Sequence, residues 1–90
     1  MVYLCIRYKV GDFLKWHEAF VRNEDLRIAA GIKVENILRS QNDRNKLTIL
    51  YAIDSMVAAN DFIQKATTNE MKEELTIVSD ISISYYDVFY

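Results

Sequence analysis

Apolar residues follow two different spacings along the chain, and these spacings divide it into strands and helices. Alternation of apolar and other side chains, rich in β-branched and aromatic residues, is typical of strands. It predicts four strands, over residues 2–10, 32–40, 46–53 and 81–90. A polar turn over residues 41–45 separates the two middle strands and predicts an antiparallel hairpin.

The stretch from Asp12 to Gly31 is predicted to form one long helix. Asp12 is a suitable N-cap, and Gly31 can take the left-handed conformation that ends a helix. At about 100° per residue, five apolar side chains fall on one side: Phe13, Trp16, Phe20, Val21 and Ile28. Three ionisable side chains lie within the same stripe: His17, Glu24 and Arg27. Because buried polar groups need partners, this face is the first candidate for a functional site.

A second helix is predicted over residues 56–66, with Asp54 or Ser55 as its N-cap. Thr67 and Glu70 have the spacing of a capping box and predict a shorter helix after it. The element order is therefore β-α-β-β-α-β. This order indicates a ferredoxin-like α+β fold, an antiparallel four-stranded sheet with helices on one face. Right-handed crossovers place the first and third strands at the centre of the sheet.

The sheet face away from the helices is expected to be too apolar for water. The side chains expected there include Tyr3, Cys5, Leu50 and either Tyr85 or Tyr86. Hydrophobic residues make up 51% of the chain, which is high for 90 residues that can bury only part of their surface. The sequence therefore predicts that this face packs on the sheet of a second copy, in a homodimer.

Length and charge narrow the classes of function. Ninety residues predict a single domain, residues 1–90. The net charge is −2 and no basic block occurs, so neither nucleic acid nor a membrane is an expected partner. Because the chain has one cysteine and one histidine, no metal site is expected within one subunit. The lone Cys5 suits a reducing compartment, so the cytoplasm is the expected location.

The chain resembles the dimeric α+β barrel superfamily, whose best-known branch is the antibiotic-biosynthesis monooxygenases. The resemblance covers nearly the whole chain, as a topology with weak sequence cues. These cues are Trp16 and Phe20 on the first helix, Arg27 with Gly31, the Arg39-Ser40 strand end, the turn over residues 43–45, the apolar third strand and Phe62 on the second helix. The rhythm is most similar to that of small stand-alone members known as cyclase-like or of unknown function.

The resemblance implies a homodimer whose two sheets face each other as a barrel, with the helices outside. It also implies a cavity between sheet and helices that holds an aromatic substrate without metal or flavin, so no cofactor is expected. Polar residues used in that branch are an Asn, a Trp, and Tyr or Arg residues, and Trp16 matches the Trp only loosely. The haem-degrading branch has an Asn in the first strand and a His near the second helix, and this chain has neither.

The candidate site residues lie mainly on the inward face of the long helix. His17, whose ordinary pKa is near neutrality, is the candidate for moving a proton, with a partly buried structural histidine as the alternative. Arg27 is the candidate for holding a ligand oxygen or carboxylate, with an i,i+3 ion pair to Glu24 as the alternative. Trp16, Phe20, Tyr51 and Tyr85 are the candidate ligand-binding residues, with core and interface packing as the alternative.

The sequence is compatible with two classes of function. One is a module that binds an aromatic or mostly apolar small molecule, with cofactor-free oxygenation or a cyclase or isomerase step as its chemistry. The other is a non-catalytic domain for ligand sensing or protein interaction, in which the inward polar groups only stabilise the core or the dimer. A cavity beside Trp16 is expected in the first class and not in the second.

Overall fold

The computed structural model of the chain describes residues 2–89. In order, its elements are β1 (Val2–Lys9), α1 (Phe13–Arg22), α2 (Glu24–Ala29), β2 (Ile32–Arg39), β3 (Lys46–Ile53), α3 (Met56–Ala66), α4 (Asn69–Glu74) and β4 (Ser82–Asp87). The last strand is therefore shorter at both ends than the predicted one. The predicted final residue of this strand, Tyr90, lies outside the described residues.

The four strands form one antiparallel sheet in the order β2-β3-β1-β4, with the helices on one face. The predicted ferredoxin-like α+β fold is confirmed, including the central position of β1 and β3. The register places Leu4 of β1 between Tyr51 of β3 and Tyr85 of β4. A bulge between Val34 and Asn36 shifts the register of the edge strand β2. These pairings decide which side chains meet the helices.

The core lies between the sheet and the helices. Alternate residues of the two central strands point into it, and all are buried: Leu4, Ile6, Tyr8, Leu47, Ile49, Tyr51 and Ile53. The helices contribute Trp16, Ala19, Phe20, Ala59, Phe62 and the following Leu75. Burial of this apolar surface is the main favourable contribution to the free energy of folding.

The predicted single helix from Asp12 to Gly31 is wrong, because it is interrupted at Asn23. The Asn23 side-chain amide donates to the Ala19 carbonyl at 2.7 Å, in competition with the backbone ladder. The main chain also tightens there, since the Leu26 N–H bonds the Asn23 carbonyl three residues back. The buried side of α1 is also rotated about the helix axis relative to the predicted one. Ala19 is therefore fully buried and Val21 is exposed. Because Ile28 is exposed as well, the predicted stripe mixed residues of two different faces.

The last helix begins one residue later than the predicted capping box. Thr68, not Thr67, accepts a hydrogen bond from the Met71 N–H and caps α4. Ser55 caps α3, accepting from the Ala58 N–H. Within residues 2–89, no helix is long and apolar enough to cross a membrane.

Gly31 sets the connection between α2 and β2, and its replacement is a test of this turn. Its φ of 67° lies in the left-handed region, and a Cβ there would lie 3.3 Å from Oδ2 of Asp54. We expect Gly31→Ala to lower the free energy of unfolding by about 1–2 kcal/mol. Urea unfolding measures this change. The control is Gly11→Ala, whose added Cβ meets Val78 at an ordinary 3.4 Å, and equal losses in the two variants would contradict the explanation.

Candidate functional site

A cavity lies between the central strands and the helices. Its volume is about 40 Å³. Its lining is mostly apolar and comes from every helix: Ile6, Tyr8, Phe20, Asn23, Leu26, Arg27, Tyr51, Phe62, Ala66, Thr67, Met71, Leu75 and Ile81. The sheet-side lining residues Tyr8 and Tyr51 are buried, whereas Leu26 and Met71 are partly exposed. The cavity therefore reaches the solvent between α2 and α4.

An aromatic stack runs along the inward face of α1 and leads to this cavity. Phe13 stacks on Trp16 with ring centroids 5.5 Å apart, and Trp16 stacks on Phe20 at 4.8 Å. A guanidinium covers each end of the stack: Arg39 lies 3.7 Å from the Phe13 centroid, and Arg27 lies 3.8 Å from the Phe20 centroid. Such cation–π contacts are favourable, and more so when they are shielded from water.

Arg27 is the buried charge of the site. Its residue is only 7% exposed, yet no carboxylate of residues 2–89 lies within 4 Å of its guanidinium, and no hydrogen bond in that range involves it. The predicted ion pair with Glu24 is wrong, because Glu24 remains exposed while Arg27 turns inward over Phe20. Burial lowers the pKa of Arg27 from its ordinary value, although nearby Tyr51 and Glu24 oppose this shift. Guanidinium groups in proteins nevertheless remain protonated at neutral pH.

Tyr8 connects the sheet to the aromatic stack. The indole Nε1–H of Trp16 donates to the Tyr8 hydroxyl at 2.9 Å, inside the core. Burial raises the pKa of Tyr8 to about 12, against the lowering effects of the Trp16 hydrogen bond and of Arg27. Because its oxygen already accepts from Trp16, Tyr8 has its own hydroxyl hydrogen to offer.

Tyr51 lies on the neighbouring strand and has an unused hydroxyl. It is 3% exposed, and within residues 2–89 its hydroxyl forms no hydrogen bond. No fully enclosed side-chain oxygen in that part of the chain lacks a partner, so this oxygen faces the open space of the cavity. Burial and the nearby Tyr8 raise the pKa of Tyr51, while Arg27 opposes the shift. Both tyrosines are therefore neutral donors at physiological pH, not bases.

The structure brings together three of the six predicted site residues, Phe20, Arg27 and Tyr51, around the cavity. Trp16 is fully buried one layer behind it, between Phe13 and Phe20. His17 does not lie on the buried face, contrary to prediction. It is exposed, because it is one residue, about 100°, from Trp16, and the buried side of α1 extends the other way, toward Ala19.

Tyr85 also lies outside the cavity, since its hydroxyl donates to Oδ1 of Asn60 at the exposed edge of the sheet. Tyr86, its neighbour, is the tyrosine on the face away from the helices. Sequence reasoning missed Tyr8 as a site residue. The available signal was its alternation with Leu4 and Ile6, which places it on the core face of β1.

The cavity lining among residues 2–89 can stabilise a negative charge but includes no base. Arg27 supplies a cation, and Tyr8 and Tyr51 supply neutral hydroxyl donors. His17, the predicted proton-moving residue, is not among the lining residues. No group of three or more His, Cys, Asp or Glu side chains in residues 2–89 is arranged to hold a metal. The arrangement is typical of a binding site for oxygen atoms within an apolar wall.

The raised pKa values predict how stability depends on pH. A tyrosine whose folded pKa exceeds its unfolded value of about 10 holds its proton more tightly when folded, so it stabilises the protein below pH 10 and loses this effect as the pH rises toward 12. For Tyr8 the loss is about 2–3 kcal/mol. Urea unfolding between pH 9 and 11.5 measures the slope, and Tyr8→Phe is expected to reduce it. Equal slopes would contradict this assignment.

Known structures provide a comparison for this fold. A candidate antibiotic biosynthesis monooxygenase from Bordetella bronchiseptica superposes with a TM-score of 0.79 at 14% identity, over 99% of this chain and 97% of its own. A similar protein from Nitrosomonas europaea gives 0.67 at 16% identity, over the whole of both chains. SnoaB, a cofactor-independent oxygenase from Streptomyces nogalater, gives 0.70 at 14% identity, over 99% of this chain and 93% of its own.

By sequence, no family model and no curated protein matches the chain. Identities this low carry information about the fold alone. The chain has the ferredoxin-like α+β fold of the antibiotic biosynthesis monooxygenase-like proteins.

Proposed function

We propose that the protein is a small dimeric module that binds a mostly apolar, aromatic small molecule between its sheet and its helices. The observation that carries this proposal is the cavity itself, where an apolar wall surrounds the unused hydroxyl of Tyr51 and the buried Arg27. A few convergent polar groups within an apolar concave surface are typical of small-molecule sites.

The size of the cavity implies that its helix side moves when a ligand binds. About 40 Å³ suffices for a few water molecules and not for an aromatic ring system. Leu26 and Met71 stand at the solvent side of the cavity, and the unbranched Met side chain changes rotamer easily. The sheet side consists of paired, buried strands and stays fixed, so a ligand enlarges the cavity by displacing these two side chains.

The chemistry that suits this site is cofactor-independent oxygenation. SnoaB, which shares the fold, is such an oxygenase. In such a reaction the substrate itself supplies the electrons: a CH₂ group and O₂ give a C=O group and water. Electron-rich substrates of this kind pass through an anion, and a buried cation with hydroxyl donors would stabilise it. The lining among residues 2–89 contributes no base, so this chemistry suits a substrate that is acidic by itself.

Non-catalytic ligand sensing is the second candidate function. The described lining residues include no near-neutral titratable group, which favours this candidate, because proton transfer at pH 7 is best served by such a group. His17 keeps its predicted role in proton transfer only if a ligand extends out of the cavity, across α1. Turnover of a bound ligand separates the two candidates.

The dimer of this proposal uses the sheet face away from the helices. Tyr3, Cys5, Leu50 and Tyr86 occur on that face in the observed register, as the alternation predicts. Leu38 and Tyr86 are 54% and 47% exposed there. A sheet face with this much exposed apolar surface is typical of a protein–protein contact.

The first test of the proposal blocks the cavity. Ala66 lines it from the end of α3, and Ala66→Phe places a ring in the space a ligand needs. We expect 2-naphthol, as a neutral aromatic probe, to bind the wild-type protein and to raise its melting temperature. Isothermal titration calorimetry should show at least tenfold weaker binding to Ala66→Phe. Uptake of O₂ with a series of phenols, measured at an oxygen electrode, then tests turnover.

The matched control for this test is Ala29→Phe, an equal change on the exposed side of α2. Binding within twofold of the wild-type value is expected for it. If 2-naphthol binds all three proteins equally, the ligand lies elsewhere and the proposed site is wrong. If it binds none of them, the cavity does not take neutral aromatic ligands of this size.

The second test concerns the dimer. Sedimentation equilibrium is expected to give twice the 10.5 kDa mass of the chain. Leu50→Glu introduces a charge at the centre of the open sheet face and should give the monomer mass. Leu14→Glu is the control, since Leu14 is 74% exposed on α1 and points away from that face. A monomeric wild-type protein at high concentration, or dimers in both variants, would contradict the proposed interface.

A further inference from the structure

The polar side chains that line the cavity differ in whether their donors are used. The Asn23 amide donates to the Ala19 carbonyl, and the Thr67 hydroxyl donates to the Ile63 carbonyl. By contrast, within residues 2–89 no acceptor meets the Tyr51 hydroxyl, the Tyr8 hydroxyl hydrogen or the Arg27 guanidinium. The unused groups are therefore donors, and one of them is a cation.

The orientation of Arg27 leaves its nitrogen atoms free for a ligand. The guanidinium stacks its flat face on Phe20, with the central carbon 3.8 Å from the ring centroid. Stacking of this kind occupies the face of the group and not the N–H groups at its edge. Two parallel N–H groups at one edge match the two oxygens of a carboxylate. A phenolate has a single oxygen and would use only one of them.

Protein groups of residues 2–89 compensate the burial of Arg27 only in part, and since no fully enclosed side-chain nitrogen among them lacks a partner, its unused N–H groups face open space. Buried charges in proteins are normally paired with an opposite charge or fully hydrogen-bonded. The residue is more than nine-tenths buried, and no carboxylate of residues 2–89 pairs with it. The stack on Phe20 offsets part of the desolvation but supplies no acceptor for its N–H groups.

We infer that the ligand of the cavity is an organic anion, an aromatic carboxylate whose two oxygens bind the edge of the Arg27 guanidinium and the Tyr51 hydroxyl. This inference rests on the proposed function, since it specifies the chemical class of the molecule that the cavity takes. The apolar ring of the ligand then packs against Phe62 and displaces Leu26 and Met71.

Arg27 also lines an open groove of about 360 Å³ on the surface between α2 and β2, together with Glu24, Ile28, Ile32, Lys33 and Val34. This groove gives an anion a second route to the guanidinium. The Ala66→Phe variant distinguishes the two positions, because Ala66 lines the cavity and not the groove.

The experiment compares two probes of the same shape, 2-naphthoate and its neutral counterpart 2-naphthamide. We expect the wild-type protein to bind 2-naphthoate at least tenfold more tightly at pH 7, by isothermal titration calorimetry. Arg27→Met should remove this preference, and Arg27→Lys should retain part of it, since the charge remains but the paired N–H geometry is lost. Arg44→Met, in the exposed turn before β3, is the control and should keep the wild-type preference.

Each other result overturns a defined part of the inference. Equal binding of both probes to the wild-type protein would show that the cavity takes aromatic ligands without selecting a charge, so that the inference fails and the proposed function stands. A preference that survives in Ala66→Phe would place the anion in the surface groove and overturn its assignment to the cavity. Failure of both probes and of 2-naphthol to bind would overturn the inference and the proposed function together. The wild-type comparison of the two probes needs no substitution, so it holds even if an Arg27 variant does not fold.

Discussion

The hydrogen bond from the Trp16 indole to the Tyr8 hydroxyl determines how the helical layer sits on the sheet. Trp16 is completely buried, and its N–H would be an unsatisfied donor in the core without this 2.9 Å contact. The bond fixes the position of α1 along β1. Because Trp16 also stacks on Phe20, it holds the Phe20 ring in place near α2. Arg27 reaches the cavity because Phe20 is held there. The site is thus built outward from one polar contact inside an apolar core.

The two walls of the cavity differ in their capacity to move. Tyr8 and Tyr51 belong to paired central strands, where every displacement would break backbone hydrogen bonds. The opposite wall includes the short helices α2 and α4, and the exposed Arg22–Glu74 ion pair at 3.3 Å joins α4 to the end of α1. Exposed ion pairs contribute little to stability, so this contact adds little to the free energy needed to displace α4. In the proposed binding site, the fixed donors and the more mobile wall therefore belong to different layers of the fold.

The fold could be predicted from the sequence because each strand has a local signal, alternation, that also sets which side chains face the helices. The side of the first helix that faces inward could not be predicted. Val21 and Ile28 are as apolar as the core residues, while the small Ala19 and the polar Asn23 carry no sign that they face inward. Arg27 was identifiable because an arginine in an apolar stripe is unusual. Alternation places Tyr8 on the core face of β1, but the spacing of Trp16 and Tyr8 follows no sequence pattern, so the bond between them could be found only in three dimensions.

The position of Trp16 gives the protein a built-in optical reporter. It is the single tryptophan of the chain, it has no contact with water, and it lies one ring away from the cavity through Phe20. Its fluorescence is therefore free of contributions from other indoles and responds to the geometry of the aromatic stack. A shift of Phe20 alters the electronic environment of the indole, whereas a change on the exposed face of the sheet leaves it untouched. Movements inside the molecule can be followed by emission spectroscopy without attaching a dye.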